Sequence, residues 1–443
     1  MARSAVLPYP VAESDDGIPL GRQSANLVRT FRYTETAARA QFQFLLAYHI
    51  EYPMYAGNIP PAPVLTGGKT RKHIAAKRGK TKKSRLPKGI PKAKGMKWPK
   101  GSIVYICGVS REAFGPSDTA LGGSEQAVVQ LSKCWAKAGR AVVVYGTVKE
   151  CIKDGVEYRS IFKLNLADQF ENVIFWRSDG IRLLPLIQAK RRLVDLHDSW
   201  DPRSYVPESQ LLALTDYCMV KSEYHRGLYD YIPNSKIKII MNGVQVDLFN
   251  KVIHTVPESD RVPHRCIYAS TYERGLEQIL QYTWPKIRAA IPDATFDIYY
   301  GMNRIAKTPL GIKLTKLFEQ PGVNEHGRIS LEQVAEEKAK SAIHLYISTS
   351  PTEIDCISVR ESLLCGSVPV LGNDYVFNER DGIHIKGSTK NPGQATTYRN
   401  AAKTVVRYLK DQDALALKRA EIRKSDTIVS WEQVAEKWMD AFI

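Results

Sequence analysis

Short runs of apolar and β-branched residues alternate with amphipathic stretches along residues 101–443. The first run, Ser102–Gly108, ends at a glycine. It precedes the stretch GGSEQAVVQLSKCWAKAG, in which apolar residues recur at helical spacing. A second buried-type run, Arg140–Gly146, follows directly. Strand, loop, helix and strand in this order predict a βαβ unit of a parallel sheet.

The same alternation repeats in two successive sets. A helix is predicted near Leu276–Ala290, and further strands are predicted at Asn172–Arg177, Arg192–Asp198, Tyr217–Ser222, Lys236–Gly243, Arg265–Ser270, Thr295–Gly301, Ser341–Ser348 and Ser367–Gly372. The two sets meet around Gln245–Pro263. They predict an α/β protein with two Rossmann-like domains.

We therefore divide the chain into five parts. These are an N-terminal extension (1–68) with one helix at about Thr34–Ile50, a basic arm (69–100), a first Rossmann-like domain (101–255), a second (256–425) and a C-terminal helix (426–443). The last part is amphipathic from Ser430, so we expect it to pack back on the first domain.

Charge changes this picture only locally. The 443 residues include 63 Lys+Arg and 46 Asp+Glu, a formal charge of +17. Residues 69–100 hold 14 Lys+Arg and no acid, whereas residues 101–443 hold 44 basic and 41 acidic groups. The excess charge therefore belongs to the arm. With 44% apolar residues, global disorder is excluded.

The basic arm admits several interpretations. A solvated linker is the simplest, because like charges repel and little apolar surface can be buried. Alternatively, the arm binds an acidic protein surface, nucleic acid or an anionic membrane. Trp98 is its only aromatic residue, so base stacking is poorly supported.

The cysteines and the hydropathy of the chain indicate the cellular compartment in which the protein is expected. The seven cysteines are odd in number and form no CxxC pair, which is typical of reduced thiols in the cytoplasm. The N-terminus lacks a hydrophobic signal core, and no window approaches the roughly 20 apolar residues of a membrane helix. We expect a soluble protein that would meet a membrane only peripherally.

Four motifs follow predicted strands, where ligands bind in open parallel sheets. They are Leu121–Gln126 (LGGSEQ), Leu196–Trp200 (LHDSW), Ser270–Gly275 (STYERG) and Glu353–Glu361 (EIDCISVRE). The first is neither GxGxxG nor a Walker A loop, so nicotinamide and P-loop chemistry are not indicated. Each motif alone also fits an ordinary turn or surface loop. The functional interpretation therefore depends on finding all four motifs in this order.

Each motif offers groups suited to a phosphorylated sugar. Glycines at a helix start let backbone N–H groups approach a phosphate, and Arg274 presents a planar charged fork. His197 can hydrogen-bond a hydroxyl. If a helix begins near Cys356, Glu353 and Glu361 bracket its N-terminus and can accept hydrogen bonds from sugar hydroxyls.

Together these motifs resemble GT-B glycosyltransferases of the retaining, nucleotide-sugar-dependent type (group 1, with an E-x7-E motif). The resemblance runs from about Gly101 to the C-terminus and includes MNGVQVDLF, HGRIS and CGSVPVLG. It implies two Rossmann-like domains facing across a cleft, the first binding the acceptor and the second the donor. One departure is that Arg274 occupies the place of the family's lysine, and Ala269 or Ser270 that of its arginine.

The resemblance also implies residue roles. Glu353, His197 and Arg274 would be catalytic. The donor would be bound by Gly122, Gly123, Ser270, Gly275, Arg328, Ile357, Ser358, Val359 and Glu361, with the amides of 357–359 meeting the diphosphate and Glu361 the ribose. No metal or other cofactor is implied. The only D-x-D, Asp411–Asp413, lies in a helical stretch and is interpreted as a solvated turn.

The resemblance predicts a hexosyltransferase-type enzyme that transfers a sugar from a nucleotide-diphosphate sugar to a glycan, protein or lipid acceptor. The alternative is a scaffolding protein, virion-associated in one version, that retains the fold and uses its basic arm for assembly or nucleic-acid contact.

Overall fold

The computed structural model of the protein describes residues 94–110, 113–119, 121–391 and 395–442. The predicted helix at Thr34–Ile50, the extension 1–68 and the arm as far as residue 93 lie outside the described residues.

The first half of the described chain builds an eight-stranded sheet. Its strands are Ile103–Gly108 (β1), Val142–Gly146 (β2), Cys151–Lys153 (β3), Val156–Ser160 (β4), Gln169–Trp176 (β5), Gln188–Asp195 (β6), Tyr217–Val220 (β7) and Ile237–Ile239 (β8). The strand order is β3-β4-β2-β1-β5-β6-β7-β8. All neighbours are parallel except β3 and β4.

The second half builds a six-stranded parallel sheet. Its strands are Val262–Ala269 (β9), Thr295–Tyr299 (β10), Val323–Glu325 (β11), Ser341–Tyr346 (β12), Val368–Leu371 (β13) and Ile383–His384 (β14). The strand order is β11-β10-β9-β12-β13-β14. Every neighbouring pair is parallel.

Helices connect the strands. They are Gly123–Lys137 (α1), Arg177–Ile181 (α2), Glu208–Leu214 (α3), Glu223–Arg226 (α4), Val246–Thr255 (α5), Leu276–Gln278 (α6), Trp284–Ala290 (α7), Pro309–Leu317 (α8), Leu331–Lys340 (α9), Ile357–Cys365 (α10), Ala395–Lys410 (α11), Gln412–Ile422 (α12) and Trp431–Met439 (α13). A π-helical segment, Ile279–Thr283, joins α6 to α7.

The predicted α/β class and its two parallel sheets are confirmed. Four short strands were not predicted. β3 and β4 form a hairpin whose turn, Asp154–Gly155, has positive φ at both residues (53° and 78°). An Asp-Gly pair is the usual signal for such a turn. β11 and β14 are only three and two residues long, too short for a hydrophobic pattern.

The C-terminal helix α13 completes the hydrophobic core of the first sheet. Trp431, Val434 and Trp438 are buried in the cluster that contains Trp135 of α1. The Trp135 indole N–H donates to the Ala435 carbonyl at 3.2 Å, and its ring lies 5.7 Å from that of Trp438. A capping box at Ser430 fixes where the helix begins.

Both sheets belong to one compact unit formed by Lys97–Lys163 and Gln169–Ile443. Trp98, near its start, is buried, and its ring lies 5.2 Å from that of Phe170. The one aromatic residue of the basic arm is therefore a packing residue.

Candidate active site

A cavity of about 400 Å³ is lined by loops that follow strands of both sheets. It brings together ten of the twelve predicted site residues, namely Gly122, Gly123, His197, Ser270, Arg274, Arg328, Glu353, Ile357, Ser358 and Glu361. Gly275 and Val359 are not among its lining residues. Motifs far apart in sequence thus meet at one place, as the carboxyl ends of parallel strands require.

Two helix N-termini approach each other in this cavity. Gly122 caps α1, and an ideal Cβ on Gly123 would lie 3.4 Å from Ile357 Cδ1 at the start of α10. The N-terminal ends of helices attract anions because their first N–H groups lack intrahelical acceptors. The Val359 N–H, however, donates to the Cys356 carbonyl at 3.2 Å. The Val359 N–H thus already has an acceptor within the chain, and the contact of the 357–359 amides with a diphosphate stays a prediction.

Glu353 is held by two donors from the second sheet. Arg274 Nη1 donates to Glu353 Oε2, and the Tyr346 hydroxyl donates to the same oxygen at 2.9 Å. Tyr346 also lies 3.1 Å from Ser270 Oγ. Burial opposes the charge of Arg274, but Glu353 raises its pKa above the usual range. A fixed cation and a fixed carboxylate therefore share this corner of the cavity.

Gly275 positions Arg274 from outside the cavity wall. Its φ is +96°, and an ideal Cβ would lie 2.3 Å from the Ile347 carbonyl oxygen. Gly139 has a similar φ of +80° with no atom within 4 Å of its Cβ position. The two glycines thus have similar φ angles, and they differ in whether a neighbouring atom lies close to the Cβ position.

We expect Gly275→Ala to lower the free energy of unfolding by about 1–3 kcal/mol more than Gly139→Ala, because it adds a clash to the shared conformational cost. Urea denaturation of both variants measures the difference. Equal losses would show that the loop relaxes freely around an added methyl group.

Glu361 is paired with a buried lysine. Lys338 of α9 is fully buried and donates from Nζ to Glu361 Oε2 at 2.7 Å. The same ammonium donates to the Ser358 carbonyl at 2.7 Å and lies 3.0 Å from Ser358 Oγ. Lys338 therefore fixes both the carboxylate and the first turn of α10.

His197 stands on a buried charged cluster. Its Nε2 lies 3.1 Å from Asp195 Oδ2, and Asp195 also accepts from Lys221 Nζ at 2.6 Å and from the Tyr105 hydroxyl. Burial and Lys221 lower the pKa of His197 more than Asp195 raises it. Burial alone would raise the pKa of Asp195, but His197 and Lys221 hold it below the usual range. His197 thus faces the cavity as a neutral imidazole.

The first-domain wall of the cavity carries Glu125, Arg177 and Asp198. Arg177 directly follows β5 and has φ +55°, an uncommon value for a residue other than glycine. It donates to Asp198 from Nε at 2.6 Å and from Nη2 at 3.1 Å, and its guanidinium lies 5.0 Å from the Trp176 ring centre. We name these three residues the clamp.

His225 supports the clamp from behind. Its Nδ1 accepts from the Lys221 N–H at 3.0 Å, and its Nε2 lies 3.0 Å from the Asp198 carbonyl oxygen. Burial lowers the pKa of His225 to about 3. Because the folded protein resists protonating this ring, stability falls as the pH drops below the unfolded pKa of about 6.5.

We expect His225→Asn to weaken this acid sensitivity. Between pH 6.0 and 4.5 the wild-type protein should lose about 1–2 kcal/mol more unfolding free energy than the variant, since one pKa unit corresponds to about 1.4 kcal/mol. Urea denaturation at both pH values measures the loss. His254→Asn, at an exposed position, is the control for removing a histidine. Equal acid losses in His225→Asn and the wild type would contradict a neutral buried His225.

The loop that carries Glu353 is fastened to the first domain. Ser222 Oγ donates to the Ile354 carbonyl at 2.7 Å, and the Tyr224 hydroxyl donates to the Pro351 carbonyl at 2.7 Å. The Asn242 N–H donates to Asp355 Oδ2 at 3.0 Å. Contacts on both sides of Glu353 therefore come from the other Rossmann-like half.

Asp355 anchors this loop within the second domain. Arg360 Nη2 donates to its Oδ2 at 2.6 Å and Arg380 Nη2 to its Oδ1 at 2.8 Å. All three side chains are at most 3% exposed. Burial raises the pKa of Asp355, but the two arginines lower it more. The carboxylate is therefore a buried anion between two buried cations.

The far end of the cavity is part aromatic and part basic. Arg328 lies over the Tyr300 ring at 5.1 Å from its centre, and Arg304 lines the same region. Ile329 and Leu331 add apolar surface nearby. A flat ring with polar edges, such as a nucleobase, matches this lining.

Sequence reasoning missed four residues that shape the cavity. Tyr346 ends the buried strand β12, where a tyrosine is an ordinary core residue. Lys221 directly follows the buried strand β7, where a lysine is expected to be an ordinary surface residue. In the sequence, Arg177 is the last residue of a predicted strand and belongs to none of the four motifs. Lys338 carried a signal, because it falls on the apolar face that Val334 and Ala335 mark on α9.

The described residues contain no group of three or more His, Cys, Asp or Glu side chains arranged to hold a metal ion. Asp411 of the D-x-D caps α12 and accepts from the Ala414 N–H at 2.9 Å, so the motif, predicted as a turn in a helical stretch, lies at the start of a helix. Metal-independent chemistry stays a prediction. Within the described ranges, no helix combines the length and hydropathy needed to cross a membrane.

Comparison with known proteins gives structural relatives only. No protein-family model matches the sequence. No curated protein matches it either. HepE of Anabaena, in complex with UDP and glucose, is similar over 76% of this chain and 98% of its own, at 12% identity and a TM-score of 0.55.

Two further structures are similar to the same extent. Sucrose-phosphate synthase of Thermosynechococcus elongatus is 13% identical, with 77% of this chain and 98% of that chain covered and a TM-score of 0.55. A glycosyltransferase of Rickettsia africae is 13% identical, with 78% and 98% covered and a TM-score of 0.56. The chain has the GT-B fold of these glycosyltransferases, with two Rossmann-like domains facing across a cleft.

Proposed function

We propose that this protein is a glycosyltransferase that moves a sugar from a nucleotide-diphosphate sugar to an acceptor hydroxyl. The observation that carries the proposal is the convergence of two helix N-termini and Arg274 beside Glu353, opposite His197, in one cavity. This combination suits a diphosphate attached to a sugar. The structural likeness to glycosyltransferases supports the same class of reaction.

The proposed mechanism is electrostatic. The bond between the sugar and the diphosphate breaks, the acceptor oxygen bonds to the sugar, and the hydroxyl proton passes to the departing diphosphate. Negative charge grows on the diphosphate as the sugar leaves, and Arg274 with the first turns of α1 and α10 stabilises it. Glu353 sits by the sugar ring, whose transition state carries positive charge. His197, as a neutral imidazole, hydrogen-bonds a sugar hydroxyl. Glu361, oriented by Lys338, accepts hydrogen bonds from the ribose.

Retention of anomeric configuration is part of the proposal and rests on the sequence resemblance to retaining enzymes, which includes the Glu353–Glu361 motif. UDP is the first nucleotide to test, since the HepE structures contain UDP, UDP with glucose, or UDP-glucose. The scaffolding alternative rested on residues 1–100, of which only 94–100 are described, and no feature of those favours it.

The test is a panel of UDP-, GDP- and ADP-sugars, with release of the nucleoside diphosphate as readout. One donor should be hydrolysed slowly or transferred, and its diphosphate should raise the melting temperature. NMR of the product reports the anomeric configuration. A protein that none of the three diphosphates stabilises at millimolar concentration would refute the proposed function.

A further inference from the structure

The clamp of Glu125, Arg177 and Asp198 forms the face of the cavity that the donor-binding groups leave open. The three residues come from separate places: the first turn of α1, the start of α2 directly after β5, and the loop after β6. Their side chains are 25–33% exposed, so a ligand in the cavity can reach them. In the proposed reaction, this face is the one available to the acceptor.

Contacts within the protein hold the clamp together. Asp198 holds Arg177 through two hydrogen bonds, and the Arg177 guanidinium packs over Trp176. The Asp198 carbonyl in turn accepts from the Tyr229 hydroxyl at 2.6 Å. Glu125 Oε1 lies 3.5 Å from Arg177 Nη1. Both ends of the arginine fork are therefore occupied by carboxylates of the protein.

The charges of this face differ from those of the donor side. One arginine faces two carboxylates in the clamp, so its net charge is negative. On the donor side, Arg274, Arg304 and Arg328 balance the carboxylates of Glu353, Asp355 and Glu361, and the buried Lys338 and Arg360 add positive charge behind them. An anionic acceptor would have to displace Asp198 from Arg177 or lie against two carboxylates. Sugar hydroxyls, in contrast, can donate to carboxylate oxygens without moving them.

We propose, resting on the proposed function, that the acceptor is an uncharged polyhydroxyl compound, a neutral sugar or polyol, and that the clamp excludes phosphorylated and carboxylated acceptors. Asp198 is the specificity-determining residue, because it neutralises Arg177, the one cation that the described residues place on this face. The hydroxyls of the acceptor donate to Asp198 and Glu125, which turns the reacting oxygen toward the donor sugar.

The experiment measures binding of matched ligand pairs to the full-length protein saturated with UDP. The pairs are glucose with glucose 6-phosphate, glucose with glucuronate, and inositol with inositol 1-phosphate. In at least one pair the neutral member should bind about tenfold more tightly, the scale of one extra like-charge contact near a protein surface. Asp198→Asn should shift that ratio about tenfold toward the anion. UDP affinity of the variant reports that it is folded.

Asp201→Asn, in the same loop but exposed and paired with Arg203, is the matched control and should leave the ratio unchanged. Anions that bind as well as their neutral partners, a ratio that Asp198→Asn does not move, or a UDP-bound protein that binds no member of any pair would each overturn the inference. Failure of UDP, GDP and ADP alike to bind would instead refute the proposed function.

Discussion

Replacing Glu353 by glutamine is expected to lower the rate of sugar transfer at least ~100-fold, the effect of removing one fixed electrostatic group from a transition state. Glutamine keeps the size of the side chain and an oxygen that can accept from Tyr346. It removes the negative charge that pairs with Arg274. The same charge would stabilise the positive charge that develops on the sugar ring in the transition state.

The effect should appear in kcat more than in KM, because the charge acts mainly on the transition state. Initial rates of diphosphate release at several donor concentrations separate the two constants. Glu332→Gln, an exposed glutamate on α9, is the control and should retain the wild-type rate. If Glu353→Gln transfers sugar at the wild-type rate, the assignment of Glu353 fails.

Replacing Asp355 by alanine is expected to lower the free energy of unfolding by about 3–5 kcal/mol, since it leaves buried cations without their counter-ion. Arg360 and Arg380 both lose their carboxylate partner, and the Asn242 N–H loses its acceptor. No water reaches these groups easily, because their side chains are almost fully buried.

Urea denaturation measures the loss, with Asp426→Ala at an exposed position as the control. If the alanine variant is too unstable to purify, Asp355→Asn keeps the shape and an acceptor oxygen and allows a measurement. A change of under about 1 kcal/mol in Asp355→Ala, the size expected for a surface ion pair, would contradict a buried anchor.

The fold was predictable because buried parallel strands produce nearly continuous runs of apolar residues in the sequence. Ile103–Gly108 and Ser341–Tyr346 illustrate this, since every residue in both strands is buried. Three of the strands that escaped prediction, β3, β11 and β14, lie at sheet edges, and β4 lies next to one. Short length and mixed polarity remove the hydrophobic pattern from these strands. β3, with all three residues exposed, is the clearest case.

The cavity was predictable where a distinctive motif lies in the loop after a strand. His197 and Arg274 lie two and five positions beyond the ends of β6 and β9, and the structure places both in the cavity. The supporting residues were not predictable, because they act through contacts between distant elements. Arg380 reaches Asp355 from 25 positions along the chain, and Ser222 reaches Ile354 from 132. No local pattern in the sequence encodes those distances.

The packing of α13 has a consequence for synthesis of the chain. The core of the first sheet includes Trp431 and Trp438, which a ribosome adds only after the whole second domain. Until those residues emerge, Trp135 and its neighbours on α1 lack the surface that covers them. The core of the first Rossmann-like domain is thus completed only after the second domain has been translated, and we expect the nascent chain to need protection from aggregation over that interval.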